Sequence, residues 1–332
     1  MHSLSGQVLI GKLLPVTDWN TVSLIVPPHT ESFGLGGKLP MRTYLDRLTA
    51  YLAAAEAIGI VGAFVYDFPV AMDPWLAAFD VLAYSTALQP IVAVRPHQES
   101  AESVARRVVD LGYRFGRPTH VNIVAGATRL SRAAGDVEDK VAARRRLGQY
   151  AVDLRAEIDR RIDPDEGRPL AVTPSSSTPG VVPVDIVLMM ARPRDKLAED
   201  VARVRAEQGV ERTSMLVGLV VRETEEQAWA AAAELYPPDR RQRVAGRLFM
   251  SQVVSSEHTA SYAFGEQQEV HDERLWYGAP TRGIDAPKLV GSAEQVRAWL
   301  RSCANIGVTD IIVDLPPNVA EYAHMAPVFT AS

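Results

Sequence analysis

Short apolar runs of strand length alternate with helical patterns along most of the chain. Eight runs are rich in Val and Ile and are continuous rather than alternating, which is typical of parallel strands buried on both faces. The predicted strands are 22–26, 62–66, 90–94, 120–124, 170–173, 185–189, 215–221 and 310–314. The predicted helices are 41–58, 74–86, 99–114, 136–162, 194–208, 224–235 and 292–305. This order predicts an α/β fold, a (β/α)8 TIM barrel, with a doubly wound open sheet as the alternative.

The last predicted helix has the clearest boundary signals. Residues 290–292 are predicted to form a turn, from which Ser292 caps the helix and Gln295 completes a capping box. Gly307 suits the left-handed position beyond the helix end. The open-sheet alternative is weakened because no G-x-G-x-x-G motif follows a predicted strand.

Three segments do not fit the alternation of strands and helices. Residues 1–20 are predicted to be an N-terminal extension, and residues 21–332 a single barrel domain. Residues 174–183 contain too much Pro and Gly for the helix that a barrel would place there. Residues 237–287 form a long insertion before the last helix. This insertion is predicted to be a lid or part of the active-site mouth, and the alternative is an oligomer contact or surface excursion.

Composition narrows the class of protein. The 332 residues are 47% hydrophobic and 23% charged, with a formal net charge of -5 and no basic patch, so nucleic acid is not an expected partner. No apolar run approaches the ~20 residues that span a bilayer, and no signal peptide is recognisable. Cys303 is the single cysteine, which excludes an intrachain disulfide and fits a reducing compartment. A cytoplasmic protein without a metal site is therefore expected.

Six sequence segments in register resemble a known family. They are 62–66 with 73–75 (GAFVY, DPW), 91–96 (IVAVRP), 121–126 (VNIVAG), 220–229 (VVRETEEQAW), 275–278 (LWYG) and 289–296 (LVGSAEQV). In this order they resemble the bacterial luciferase-like flavin monooxygenases, most closely the alkanesulfonate monooxygenase branch, over roughly residues 20–325. The resemblance implies a TIM barrel that uses reduced FMN and oxygen and forms a homodimer or higher oligomer, with a flavin reductase as an expected partner.

The positions that match the family's substrate site carry different residues here. A cysteine of the family is Ala71, a tryptophan is Met190, and an interior arginine and histidine are Leu216 and Gly218. No residue on that strand replaces the arginine, so a sulfonate substrate is not expected. With Trp276 as a further candidate, these residues predict a pocket for a small, largely apolar organic substrate.

The flavin-binding positions are altered less uniformly. The family's glycines at the phosphate-binding helix become Thr173-Pro174, which adds bulk and removes an N–H, although the serines that follow could still donate their hydroxyls. Asn122 and the mobile-loop Arg282 match the family. The predicted cofactor-binding residues are Tyr66, Asn122, Ser175, Ser176 and Arg282.

Two histidines are candidates for acid–base catalysis. His29 follows the first predicted strand and His97 follows the third, at the strand ends where barrel active sites lie. Asp67 and Asp314 end strands at the same face and could line a polar pocket with either histidine. All four side chains could equally bind solvent or cap helices.

Three functions remain open from the sequence. The first is a luciferase-like monooxygenase using reduced FMN and oxygen on a small apolar substrate. The second is a catalytically degenerate homologue that serves as a non-flavin partner subunit or a ligand-binding protein. The third is a hydride-transfer enzyme that uses a deazaflavin cofactor.

Overall fold

The computed structural model describes residues 19–32, 35–67, 71–124, 140–163, 167–175, 183–237, 256–282 and 286–330. Its strands are β1 (Thr21–Ile25), β2 (Thr30–Ser32), β3 (Leu35–Lys38), β4 (Gly62–Val65), β5 (Gln89–Val94), β6 (His120–Ile123), β7 (Ala171–Pro174), β8 (Ile186–Met190), β9 (Arg212–Arg222), β10 (Val270–His271), β11 (Leu275–Trp276), β12 (Lys288–Ser292) and β13 (Asp310–Val313). Its helices are α1 (Met41–Ala57), α2 (Pro74–Tyr84), α3 (Ala101–Phe115), α4 (Lys140–Asp159), α5 (Arg194–Gln208), α6 (Glu225–Leu235), α7 (Ser256–Gln267), α8 (Gly278–Arg282), α9 (Ala293–Ile306) and α10 (Glu321–Phe329).

Eight parallel strands close into a barrel. In sheet order they are β1, β4, β5, β6, β7, β8, β9 and β13, and β13 pairs with β1 to complete the ring. Each corresponds to one of the eight predicted strands, so the predicted (β/α)8 barrel is confirmed and the open-sheet alternative is wrong.

Alternation along each strand divides the core into an outer and an inner layer. In β4, Ala63 and Val65 belong to the large core cluster between the strands and the surrounding helices. Phe64, between them, belongs to a separate cluster inside the barrel. Successive side chains of a strand point to opposite faces, so continuous apolar strands supply both layers.

Local sequence sets the boundaries of α9 as predicted. The Ser292 hydroxyl accepts a hydrogen bond from the Gln295 N–H, the Gln295 side chain accepts from the Ser292 N–H, and Gly307 follows the helix with φ 116°. The predicted turn at 290–292 is wrong, because these residues are the end of β12. β12 forms because β9 runs 11 residues, beyond the end of β8, and residues 288–292 pair with its upper half, 218–222.

The insertion contributes α7, β10, β11 and α8 to the described part of the chain. β10, β11 and β12 extend the sheet from the upper half of β9, and α6 packs on this extension in a third cluster of buried apolar residues. α7 packs against β8. Within the described ranges, no helix has both the length and the apolar composition that crossing a membrane requires.

Candidate active site

The barrel interior combines an apolar cluster with a group of polar side chains at the N-terminal end of the strands. At the N-terminal end of the strands, Arg212 pairs with Asp310 at 2.6 Å, and Thr21 donates to the same carboxylate at 2.5 Å. His120 lies at this end too, with its Nε2 2.9 Å from the Gln89 amide oxygen. Within this network, Asp310 and His120 are buried.

Apolar side chains line the barrel interior from the N-terminal to the C-terminal end of the strands. The inner cluster consists of Ile25, Phe64, Ile91, Val172, Ile186, Leu188 and Ile312, with Tyr66, Leu170, Leu216 and Leu315 packed against it. Tyr66, Leu216 and Leu315, at the C-terminal end of the strands, are partly exposed, so the interior opens there. Met190 pairs in register with Leu216 and is buried beside it. An apolar pocket at the C-terminal face of a barrel is where enzymes of this fold place their substrates.

Asn122 is a polar side chain in this apolar interior. It lies in register between Ala93 on β5 and Val172 on β7, and Val172 belongs to the inner cluster, so Asn122 faces inward. The side chain is 2% exposed, and its Oδ1 has no hydrogen-bond partner in the described part of the chain. A buried acceptor without a partner costs about 1–3 kcal/mol, so a ligand that donates to it would recover that energy.

His29 and Tyr66 lie on one side of the mouth. The His29 ring packs edge-on against Tyr44 with centroids 6.5 Å apart, and its buried Nδ1 has no hydrogen-bond partner among the described residues. The pKa of His29 is lowered, mainly by burial and to a smaller extent by the charge of Lys38. Its imidazole is therefore neutral at neutral pH. Burial, and then Tyr44, raise the pKa of Tyr66, so its phenol keeps its proton.

His97 belongs to a different group, around the ends of β4 and β5. Arg95, 6% exposed, pairs with Asp67 at 2.7 Å and also donates to its backbone carbonyl. Burial raises the pKa of Asp67, while Arg95 and the nearby His97 act against this rise. His29 packs against Tyr44, whereas His97 lies near Asp67 at the ends of β4 and β5, so the two predicted catalytic histidines belong to different groups of residues.

A buried ion pair occupies the space beside Gly218. Lys288, 1% exposed, donates from its Nζ to Asp314 at 2.5 Å. A Cβ on Gly218 would lie 2.2 Å from the Cδ of Lys288 and 2.7 Å from its Nζ, so the absence of a side chain at Gly218 makes room for the lysine. The strand of Leu216 and Gly218 carries no replacement for the family's arginine, but a positive charge does lie beside Gly218. It belongs to Lys288 on the neighbouring strand β12.

A second buried ion network joins the insertion to the ends of β7 and β8. Glu257, on α7, accepts from the Ser175 hydroxyl, from the Met190 N–H at 3.2 Å and from Arg192 at 2.7 Å. Arg192 also pairs with Asp200. Burial lowers the pKa of Arg192, but its two carboxylate partners outweigh this and raise it, so the guanidinium stays charged.

The remaining predicted site residues are distributed more widely. Trp276 is 4% exposed in the third cluster, and its indole N–H donates to Glu269 at 2.9 Å, so its described contacts are those of a core residue. Ala71 is half-buried in the segment before α2. Arg282 ends α8, but its side chain and all of Ser176 lie outside the described residues. Substrate contact by Ala71 and Trp276 and cofactor contact by Arg282 and Ser176 stay predictions.

Sequence reasoning missed three charged residues of this rim: Lys288, Glu257 and Arg192. Two of them had a local signal. Lys288 is a charged residue just before an apolar pair, and Arg192 lies two residues beyond a buried strand, near where barrel sites lie. No local sequence signal marked Glu257, because its partners Ser175 and Arg192 are 82 and 65 positions away in the chain.

Comparisons with known proteins agree with this architecture. Residues 182–310 match the family model described as luciferase-like monooxygenase, so over that range the chain carries the sequence pattern of this family. A relative, the 4-(gamma-L-glutamylamino)butanoyl-[BtrI acyl-carrier protein] monooxygenase BtrO of Niallia circulans, is 22% identical over 316 residues, covering 86% of this chain and 91% of the relative.

Two solved structures show the same fold. The EDTA monooxygenase from Chelativorans sp. BNC1 has a TM-score of 0.64 at 13% identity, over 93% of each chain. The oxygenating constituent of 3,6-diketocamphane monooxygenase from Pseudomonas putida, solved in complex with FMN, has a TM-score of 0.61 at 11% identity, over 93% of this chain and 96% of that one. The likeness to the alkanesulfonate branch in particular stays a prediction.

Proposed function

We propose that this protein is a flavin-dependent monooxygenase that uses reduced FMN and oxygen to oxidise a small, largely apolar organic substrate. The observation that carries the proposal is the inward-facing Asn122, whose buried Oδ1 lacks a partner in the described chain while apolar side chains surround it. A flat ring system with polar edge groups matches this combination. Such a ligand would bury its apolar part among these side chains and donate a hydrogen bond to the Oδ1 of Asn122.

The described residues fit the ring portion of a flavin. Asn122 would bond to a polar edge of the ring, and Phe64 and Leu216 would contact its apolar part. When bound, reduced flavin supplies the electrons that activate oxygen. The chain's own contribution is an apolar interior, which would keep water from the reacting centre.

Two side chains at the mouth could manage protons. Tyr66 keeps its phenolic proton because its pKa is raised, and it would donate a hydrogen bond into the pocket. His29 is neutral, so its Nδ1 could accept a proton. His97, which lies near the carboxylate of Asp67, stays the alternative candidate.

A second function, a non-flavin partner subunit or ligand-binding protein, is favoured by one observation. The Ser175 hydroxyl, predicted to hold a flavin phosphate, donates to the carboxylate of Glu257 instead. If this arrangement were permanent, FMN would lose a phosphate contact and meet a negative charge. The first function is preferred, because the Oδ1 of Asn122, which has no partner among the described residues, faces the apolar interior whatever holds the phosphate.

The proposed partners are those expected of a flavin-dependent monooxygenase. Reduced FMN would come from a separate flavin reductase. A homodimer or higher oligomer is supported by the apolar side chains that α2 and α3 expose, since Leu76 is 61% and Tyr113 85% exposed. The relative from Niallia circulans is named for a carrier-bound acyl substrate. Substrate screens should therefore include acyl chains attached to a carrier protein beside free apolar compounds.

Flavin titration tests the proposal. Oxidised and reduced FMN, and a deazaflavin, would be titrated into the wild type, Asn122→Leu and a control, Asn20→Ala, at the opposite end of the barrel. We expect FMN to bind the wild type and the control with equal affinity. Asn122→Leu should bind FMN about tenfold more weakly, because it loses one hydrogen bond to the ligand. No flavin binding at millimolar concentration would refute the proposal and favour the partner subunit. Binding of the deazaflavin alone would favour hydride transfer.

A further inference from the structure

Three hydrogen-bond donors of different kinds converge on the carboxylate of Glu257. Ser175 donates a hydroxyl, Met190 a backbone N–H, and Arg192 one arm of its guanidinium. All four residues are buried, with Glu257 6% and Arg192 9% exposed. A hydroxyl, a backbone N–H and a charged guanidinium are also the donors that proteins use to hold a phosphate group.

The strands of the barrel create this cradle. β7 pairs with β8 as far as Pro174 and Leu188, so Met190 lies beyond the last residue of β7 that pairs with β8. The Met190 N–H therefore donates to a side chain instead of to a strand carbonyl. Ser175 directly follows β7 and Arg192 is the second residue after β8, and this brings all three donors to one point on the rim.

The cradle lies next to the proposed ring site. Asn122 is on β6, and β7 and β8 are the next two strands around the barrel. A ligand with a flat ring in the interior and a phosphate on a short chain could reach both places. Glu257 would then meet the phosphate directly, and two anions cannot share one buried set of donors without a large electrostatic cost.

We propose that Glu257 is a built-in anion that occupies a phosphate-binding cradle formed by Ser175, Met190 and Arg192. A phosphate must displace the first turn of α7 from this cradle in order to bind. The proposal rests on the proposed function in taking FMN as the ligand, but the cradle itself would accept inorganic phosphate. Docking of the insertion helix and binding of the phosphate group therefore exclude each other.

Riboflavin, which lacks the phosphate, separates this effect from ring binding. Affinities for FMN, riboflavin and inorganic phosphate would be measured by fluorescence quenching and calorimetry on the wild type and Glu257→Gln. Gln keeps the shape and leaves Arg192 paired with Asp200. Glu266→Gln removes the same charge from an exposed position of the same helix and serves as the control.

We expect Glu257→Gln to bind FMN at least about tenfold more tightly than the wild type, with riboflavin affinity unchanged and Glu266→Gln without effect. Inorganic phosphate should bind the variant more tightly as well. An equal change for FMN and riboflavin, or no gain in phosphate binding, would overturn the proposal. Phosphate binding to the variant without any flavin binding would keep the cradle and refute the flavin function.

Hydrogen exchange on the wild type provides a second measurement that does not depend on the variant folding. FMN, but not riboflavin, should speed exchange of the amides in the first turns of α7, because only FMN displaces Glu257. FMN binding that leaves α7 exchange unchanged or slows it would contradict the proposal.

Discussion

The buried pair of Lys288 and Asp314 should contribute strongly to stability, and Lys288→Met tests this. Lys288 is 1% exposed and donates to Asp314 at 2.5 Å. The carboxylate also accepts backbone N–H bonds from Ala286 and Leu315, each at 3.0 Å. Met keeps most of the length of the side chain and removes its charge, so the substitution takes away the cation that faces the carboxylate of Asp314.

The magnitude follows from the burial of the charges. Removing one member of a buried pair costs about 3–5 kcal/mol, because the remaining charge is uncompensated. The two backbone donors offset part of this, so we expect a loss of about 3 kcal/mol in the free energy of unfolding. Asp314→Asn should cost a similar amount. The double variant carries neither charge and should lose about 2 kcal/mol less than the sum of the single losses.

Urea unfolding at neutral pH, followed by circular dichroism, measures these differences. Lys196→Met is the matched control, because the Lys196 side chain is 46% exposed in a surface pair with Glu199 and should cost less than about 1 kcal/mol. A cost for Lys288→Met as small as that of the control, or strictly additive single losses, would refute the reasoning.

Three further predictions concern other buried positions. Gly218→Ala should destabilise the protein by about 1–3 kcal/mol in chemical unfolding, because its Cβ would lie 2.2 Å from a pinned lysine side chain. Burial, and then Arg212, lower the pKa of His120 to about 4, so only the unfolded chain takes up its proton as pH falls from about 6.5 to 4. Stability should therefore fall by about 3 kcal/mol across that window, as unfolding measured at several pH values would show. Burial raises the pKa of the Cys303 thiol to about 12, so a thiol reagent should label it no faster than the protein unfolds.

Each of these has a result that would contradict it. Gly37 has nothing within 4 Å of an added Cβ, so a loss as small as that of Gly37→Ala would contradict the clash at Gly218. An acid-induced loss that persists unchanged in His120→Gln would assign it to other groups. Labelling of Cys303 on a timescale faster than unfolding would show that the thiol is accessible in the native protein.

Much of the fold could be predicted because its signals are local. Each barrel strand is one continuous apolar run, and the ends of α9 are set by Ser292, Gln295 and Gly307, which act on their immediate neighbours. Strand β12 could not be predicted in this way. Its residues form a strand because the long β9 offers them unpaired backbone groups, and that partner is some 70 positions away in the chain.

In the candidate site, too, some features could be predicted from the sequence and others depend on tertiary contacts. Asn122 and Leu216 were predicted from the family resemblance, and Tyr66 as an aromatic residue that could stack on a flat ring; the structure puts them around the barrel interior. Whether Ser175 faces a ligand or a carboxylate depends on Glu257, which the insertion brings to it from 82 positions away.

The sequence alone therefore determined the barrel and the apolar character of its interior, because hydrophobic periodicity acts within each short segment. Only the tertiary structure decided which charges meet at its rim: Lys288 with Asp314, and Glu257 with Arg192. Charges are paired by distance in space, and closing the barrel brings together strand ends and loops that no local pattern relates.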